Sequence, residues 1–150
     1  MRLIFTFLCV SMLAGGCCAP AKLVSGQEGV FGVVSEVRGN MMPGPGRTLP
    51  PPAPIQTTVF AYEATTTEQV DGGPGPLYTA IRTKLVDSVV TDDKGAFKLP
   101  LPPGRYSFFV RVDGKYFANL FDDKNMINAV TVAAEKYTEL NITVNDKAHY

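Results

Sequence analysis

The chain has no tryptophan, one histidine, no block of like charge and, beyond position 18, no cysteine. Each of these gaps removes a class of protein. Cys9, Cys17 and Cys18 are the three cysteines, so from about residue 27 onward there is no disulfide framework, thiol nucleophile or thiolate metal site. In an oxidising compartment such a domain must hold by packing alone. Fourteen Lys and Arg against fourteen Asp and Glu give a net charge of zero, which leaves counterion release on nucleic acid nothing to work with. Helical periodicity is nearly absent as well. Its clearest trace lies at residues 77–83, where Leu77, Ala80 and Ile81 are spaced i, i+3, i+4 and predict a turn or two of helix.

What is present fits one domain. The 150 residues are 45% hydrophobic, enough to order a chain of this length, and 14 Gly with 12 Pro describe a loop-rich β protein. The first residues read as an address rather than as fold. Arg2 precedes an apolar run at residues 3–13, the length of a signal-peptide core and too short for a span of about 20 residues. Leu13-Ala14-Gly15-Gly16-Cys17 then runs small residues into a cysteine, a pattern that resembles the bacterial lipobox and implies acylation of Cys17 as the new N-terminus. Cys18 fits less well, because Cys17 precedes it. The competing reading is cleavage after Ala19-Pro20-Ala21, which would free a soluble protein. The organisation expected is therefore a signal peptide over residues 1–21, a short linker over 22–27 and a domain over 28–150.

Within that domain, strands are expected at residues 30–37, 58–64, 84–91, 96–99, 104–112, 115–118, 127–133 and 137–144, each a β-branched or aromatic run closed by turn residues. Asp92-Asp93-Lys94-Gly95 between two such runs is a hairpin signal, Asp starting the turn and Gly supplying a positive φ. In 104–112, alternation places Tyr106, Phe108, Val110 and Val112 inside and Arg105, Ser107 and Arg111 outside, with Phe109 out of phase. Strands joined by turns without alternating helices predict an all-β, seven- to eight-stranded antiparallel sandwich, transthyretin-like or Ig-like.

Residues 90–99 (VTDDKGAFKL) followed by 101–107 (LPPGRYS) resemble the T-D-x-x-G-x-F-x-L-x-L-P-P-G-x-Y signature of carboxypeptidase regulatory-like domains. These are transthyretin-like sandwiches, grouped also with carbohydrate-binding-like folds. The resemblance spans roughly residues 28–145; Gly32, Gly39-Asn40 and the Met42-Pro43-Gly44 turn resemble the start of a small bacterial secreted subgroup. It implies structural turns at Asp92, Asp93 and Gly95 and at Pro103-Gly104, where one strand breaks before Tyr106 enters the core.

The chemistry-bearing residues are sparse. Hydroxyisourate hydrolases of the transthyretin-like kind use several histidines, whereas this chain offers His149, and Ser25, Ser35, Ser88 and Ser107 have no His-Asp pattern beside them. Asp92-Asp93 and Asp122-Asp123 lack the spacing that gathers six to eight oxygens round calcium and read as solvated turns, so neither a metal nor a cofactor is expected. A binding surface is better supported. Residues 116–121, with Tyr116, Phe117 and Phe121, could form an aromatic platform. Two connections, 39–56 with Met42 and Pro43, and 65–83, exceed the usual four to six residues. The polyproline stretch 50–54 suits either a partner's groove or, preferably, bracing of a sheet edge. The expectation is a non-enzymatic envelope module, exported to the outer membrane or periplasm. It would bind an envelope protein or glycan and be held to the membrane through Cys17, or else be a soluble secreted form. A carbohydrate-binding protein is the alternative, and a hydrolase working through carboxylates alone a more distant one.

Overall fold

A computed structural model describes residues 27–149; Cys9, Cys17 and Cys18 lie outside the described residues. Twelve strands are formed there: β1 Gly29–Asn40, β2 Ala53–Pro54, β3 Thr58–Glu63, β4 Val70–Gly72, β5 Leu77–Ile81, β6 Leu85–Val90, β7 Ala96–Pro100, β8 Gly104–Val112, β9 Lys115–Phe117, β10 Ala129–Val132, β11 Tyr137–Glu139 and β12 Ile142–His149. They make two sheets, of five and seven strands, so the all-β sandwich stands. The division is finer than seven or eight because short pairings such as β2 and β4 add strands, and because the run 137–144 breaks in two.

That break has a local cause. Leu140 and Asn141 press against β1 at Gly32, where a Cβ would lie 1.9 Å from the Leu140 carbonyl oxygen, so only a glycine admits the approach. The Asn141 side chain then accepts the Val33 amide at 2.9 Å, standing in for a ladder bond. The chain resumes as β12 in parallel register with β1, Val34 opposite Ile142 and Arg38 opposite Lys147.

β1 is the hub of the smaller sheet. β11 and β12 run parallel to it along one edge, while β7 and then β2 run antiparallel along the other. Ser35 pairs with both Thr143 and Pro54, which fixes β2 and β12 on opposite edges. The polyproline stretch therefore ends as a brace on β1 just past β7, and Ile55 donates to the Val34 carbonyl at 3.1 Å. Proline suits an edge position, where its missing N–H is not needed.

The larger sheet is ordered β4-β5-β9-β8-β3-β6, with β10 also on β8. The turn of helix expected at residues 77–83 is instead β5, with Tyr78 opposite Tyr116 on β9 and β4 on its other side. Three apolar residues at helical spacing are too short a signal to hold a helix against a waiting sheet edge. Part of the second long connection is thus sheet. At the far edge, β6 exposes Leu85, Val86 and Val90, and the Asp87 carboxylate accepts the Ser88 amide at 2.7 Å, a charge of the kind that blunts edge pairing.

Between the sheets lies the main core, including Val34, Leu99, Phe108, Val110, Phe117 and Val144. Each such side chain contributes roughly 1.5–3 kcal/mol when fully buried. Alternation holds through β8 with one correction: Ser107, expected outside, is 0% exposed. Its hydroxyl accepts the Thr65 amide at 2.9 Å, so the chain leaving β3 folds over it. Tyr106 enters the core, and its hydroxyl donates to the Pro102 carbonyl at 2.8 Å, tying the strand start to the turn before it.

Candidate recognition face

Cross-strand partners share a face, so the register alone sorts the aromatics of the larger sheet. Tyr78 opposes Tyr116, Tyr116 opposes Arg111, Phe60 opposes Phe109 and Tyr62 opposes Ser107. These side chains lie on the outer face. Val59, Ala61, Phe108, Val110 and Phe117 point the other way, into the main core. A second apolar cluster results, in which Phe109, Tyr62 and Tyr78 are buried, Val70 and Ile81 pack at one side, and Phe60 and Tyr116 remain half-buried.

The rings meet edge to face, the arrangement their quadrupoles prefer. Tyr62 and Tyr78 stand at 89° to Phe109 with centroids 5.7 and 6.0 Å away, and Phe60 meets Tyr116 at 5.3 Å. Burial, together with a hydrogen bond to the Tyr116 side chain, pushes the Tyr62 phenol up to about 12, so it stays protonated at any physiological pH. Above the half-buried pair lies Arg111, its guanidinium carbon 5.2 Å from the centre of the Phe60 ring and 4.9 Å from that of Tyr116.

Arg111 is held from three sides. The Thr57 hydroxyl donates to its carbonyl at 2.6 Å, the rings hold its guanidinium, and Nη1 donates to the Gly114 carbonyl at 3.0 Å. That carbonyl is presented by the β8–β9 turn, where Asp113 and Gly114 both take positive φ (46° and 79°), as an Asp-Gly hairpin turn requires. Arg111 is also one of the residues lining an open cleft of about 400 Å³ at the end of the sandwich, whose walls include Glu36, Arg38, Ile55, Asp113 and Lys147. The walls are internally paired: Arg38 Nε lies 2.5 Å from Glu36, and Lys147 Nζ lies 2.8 Å from Asp113. Their mutual hydrogen bond holds the Asp113 carboxyl below its usual range and the Lys147 ammonium above its own.

The segment 116–121 is not one platform. Tyr116 belongs to the outer-face cluster, but Phe117 points into the main core at 0% exposure, because β9 continues the alternation of its neighbours β5 and β8. Phe117 is therefore corrected from surface to core. Phe121 is 52% exposed and sits with Leu120, Asn128, Val130 and Leu140 round a separate recess of about 130 Å³. Met42 and Pro43 are exposed in the loop after β1, where the Met42 amide donates to the Asn40 side chain at 2.8 Å. The sequence reading missed Phe60 and Tyr62 as members of the outer face and put Arg111 merely outside. The out-of-phase Phe109 was the signal, since an apolar ring on the outer phase of a strand needs company there.

The two Asp-Asp pairs prove to be one turn used twice. In residues 92–96 the Asp92 carboxylate accepts the amides of Lys94 and Ala96 at 2.9 and 2.8 Å; in 122–126 that of Asp122 accepts those of Lys124 and Met126 at 2.8 and 2.9 Å. Gly95 and Asn125 hold equivalent positions with φ of 72° and 57°. The leading carboxylate of each pair is thus committed to its own backbone, and Asp122 additionally pairs with Arg105. Pro103 and Gly104 precede Tyr106 at the start of β8.

The Asp122 carboxyl is held below its usual range first by the Met126 amide, then by that of Lys124 and by Arg105. A lowered carboxylate pKa stabilises the fold fully above the unfolded value of about 3.9, and the gain is lost as pH falls through the folded value. Asp122→Asn should accordingly flatten the acid limb of a stability-against-pH curve below about pH 4. Denaturant midpoints collected across that range test it, and a variant limb parallel to the wild-type one would refute the assignment.

No protein-family model matches the chain, and a search of curated proteins found no significant match.

Proposed function

We propose that this chain is a non-enzymatic binding module of the bacterial cell envelope, of the carboxypeptidase regulatory-like kind. It is exported under its N-terminal segment, anchored through an acylated Cys17, and holds an envelope component on the outer face of its larger sheet. The observation that carries the reading is the stack of Arg111 on the half-buried Phe60 and Tyr116, an aromatic and cationic surface on a rigid sheet rather than on a loop. Sites of this build hold their geometry, because the supporting rings are themselves packed. A glycan suits this surface better than a protein, since pyranose rings present flat C–H faces to aromatic side chains. The Asp-Asp-Lys-Gly turn and the Tyr106 bond to Pro102 support the family resemblance.

Two measurements test the reading. Wild-type protein should partition with membranes and Cys17→Ser should not; equal partitioning would remove the anchor. In co-sedimentation with insoluble envelope glycan, the protein should pellet and Tyr116→Ala should remain in solution while still unfolding cooperatively. Equal pelleting of the two would remove this face from the function.

A further inference from the structure

We infer that the outer face selects glycans bearing a carboxylate, such as uronic acids, and that Arg111 is the residue that reads the acid group. The inference rests on the binding reading above and narrows its ligand class. Five residues at the mouth of the cleft carry formal charge, and four of them are matched: Arg38 with Glu36, and Lys147 with Asp113. Arg111 is the fifth. Among the described residues its partners are the Gly114 carbonyl and the faces of Phe60 and Tyr116, none of which neutralises a cation.

A guanidinium has five N–H donors in a planar fork that matches a carboxylate in bidentate fashion. Here one donor is spent on Gly114 and the plane is steadied by the rings. The arginine is therefore ordered before any ligand arrives, and little side-chain entropy remains to be lost on binding. The Thr57 bond to its carbonyl fixes the backbone below.

The charge count limits the ligand. One unmatched cation suits a single dispersed carboxylate and disfavours densely charged polyanions such as nucleic acids or polyphosphates. The guanidinium already lies over Phe60 and Tyr116, so a sugar ring would meet these half-buried aromatics at the parts the arginine leaves uncovered. An acidic sugar meets both requirements at once, the ring on the aromatics and the acid on the arginine.

Calorimetric titration of the full-length protein with oligogalacturonate and with a hyaluronan tetrasaccharide, two uronate carriers of different stereochemistry, tests this. Saturable binding is expected to at least one of them, weakening with added salt. It should fall about tenfold or more when the carboxylates are reduced to alcohols, and as much in Arg111→Gln. Arg111→Lys keeps the charge but loses the fork, and should recover only part of the affinity. Arg111 is exposed, so both variants should melt close to the wild type.

If the reduced, neutral oligosaccharides bind as well as the acids and Arg111→Gln changes nothing, the acid-reading role is overturned while the glycan-binding face stands. If neither acidic nor neutral sugar binds, both readings fall. Arg111-dependent binding of a short peptide with a free C-terminal carboxylate, in place of the sugars, would overturn the proposal in favour of a peptide ligand.

Discussion

Gly95→Val should lower stability by about 2–5 kcal/mol, or prevent folding, whereas Lys94→Ala at the neighbouring position should be nearly silent. Two costs add at Gly95. Its φ of 72° is one that a β-branched residue adopts only under strain, and a Cβ there would lie 2.2 Å from the Val34 carbonyl oxygen and 3.3 Å from the Ile55 amide nitrogen. Both neighbours are backbone, Val34 in β1 and Ile55 just after β2, and they are hydrogen-bonded to each other, so neither can swing aside. The twin turn separates the two costs. Asn125 takes nearly the same φ without being glycine, so Gly95→Asn relieves the dihedral strain and leaves the clash. It should still destabilise, by less than Val but clearly more than Asn125→Gly. Equilibrium denaturation decides the matter. A Gly95→Val midpoint indistinguishable from wild type would show that the turn does not press against β1.

Phe117→Ala should cost about 3–5 kcal/mol, the range for emptying a fully buried ring site between two sheets. Phe121→Ala, only four residues on, should cost about 0.5 kcal/mol or less. The contrast follows from burial alone: Phe117 is 0% exposed within the main core, and Phe121 is 52% exposed beside its shallow recess. Denaturant unfolding should show a lowered midpoint for the first variant with an unchanged slope. Equal losses for both would contradict the placement of β9 with its odd-numbered ring inward.

Much of the fold could be read in advance because its signals are short-range. The Asp-Asp-Lys-Gly turn depends on the carboxylate reaching its own backbone and on a glycine dihedral, both set within five residues. The alternation of residues 139–144 is likewise a property of adjacent positions, and burial follows it, with Ile142 and Val144 inside and Thr143 outside. The loss of disulfide and thiolate chemistry beyond position 18 is a matter of composition and needs no coordinates.

The candidate site was less legible, because it is assembled across strands. Phe60, Arg111 and Tyr116 come from β3, β8 and β9, and only the register that sets Tyr116 opposite Arg111 and Phe60 opposite Phe109 makes them neighbours. Sequence spacing carries no information about that register. The same holds for β5, whose helical spacing lost to hydrogen bonds offered by β9, and for Ser107, buried because Thr65 needed an acceptor. Composition and local pattern by themselves determined an all-β domain with defined turns. The pairing of distant strands decided which aromatic rings close the core and which support an arginine at the surface, because a ring's face is fixed by its strand while its company is fixed by the strand beside it.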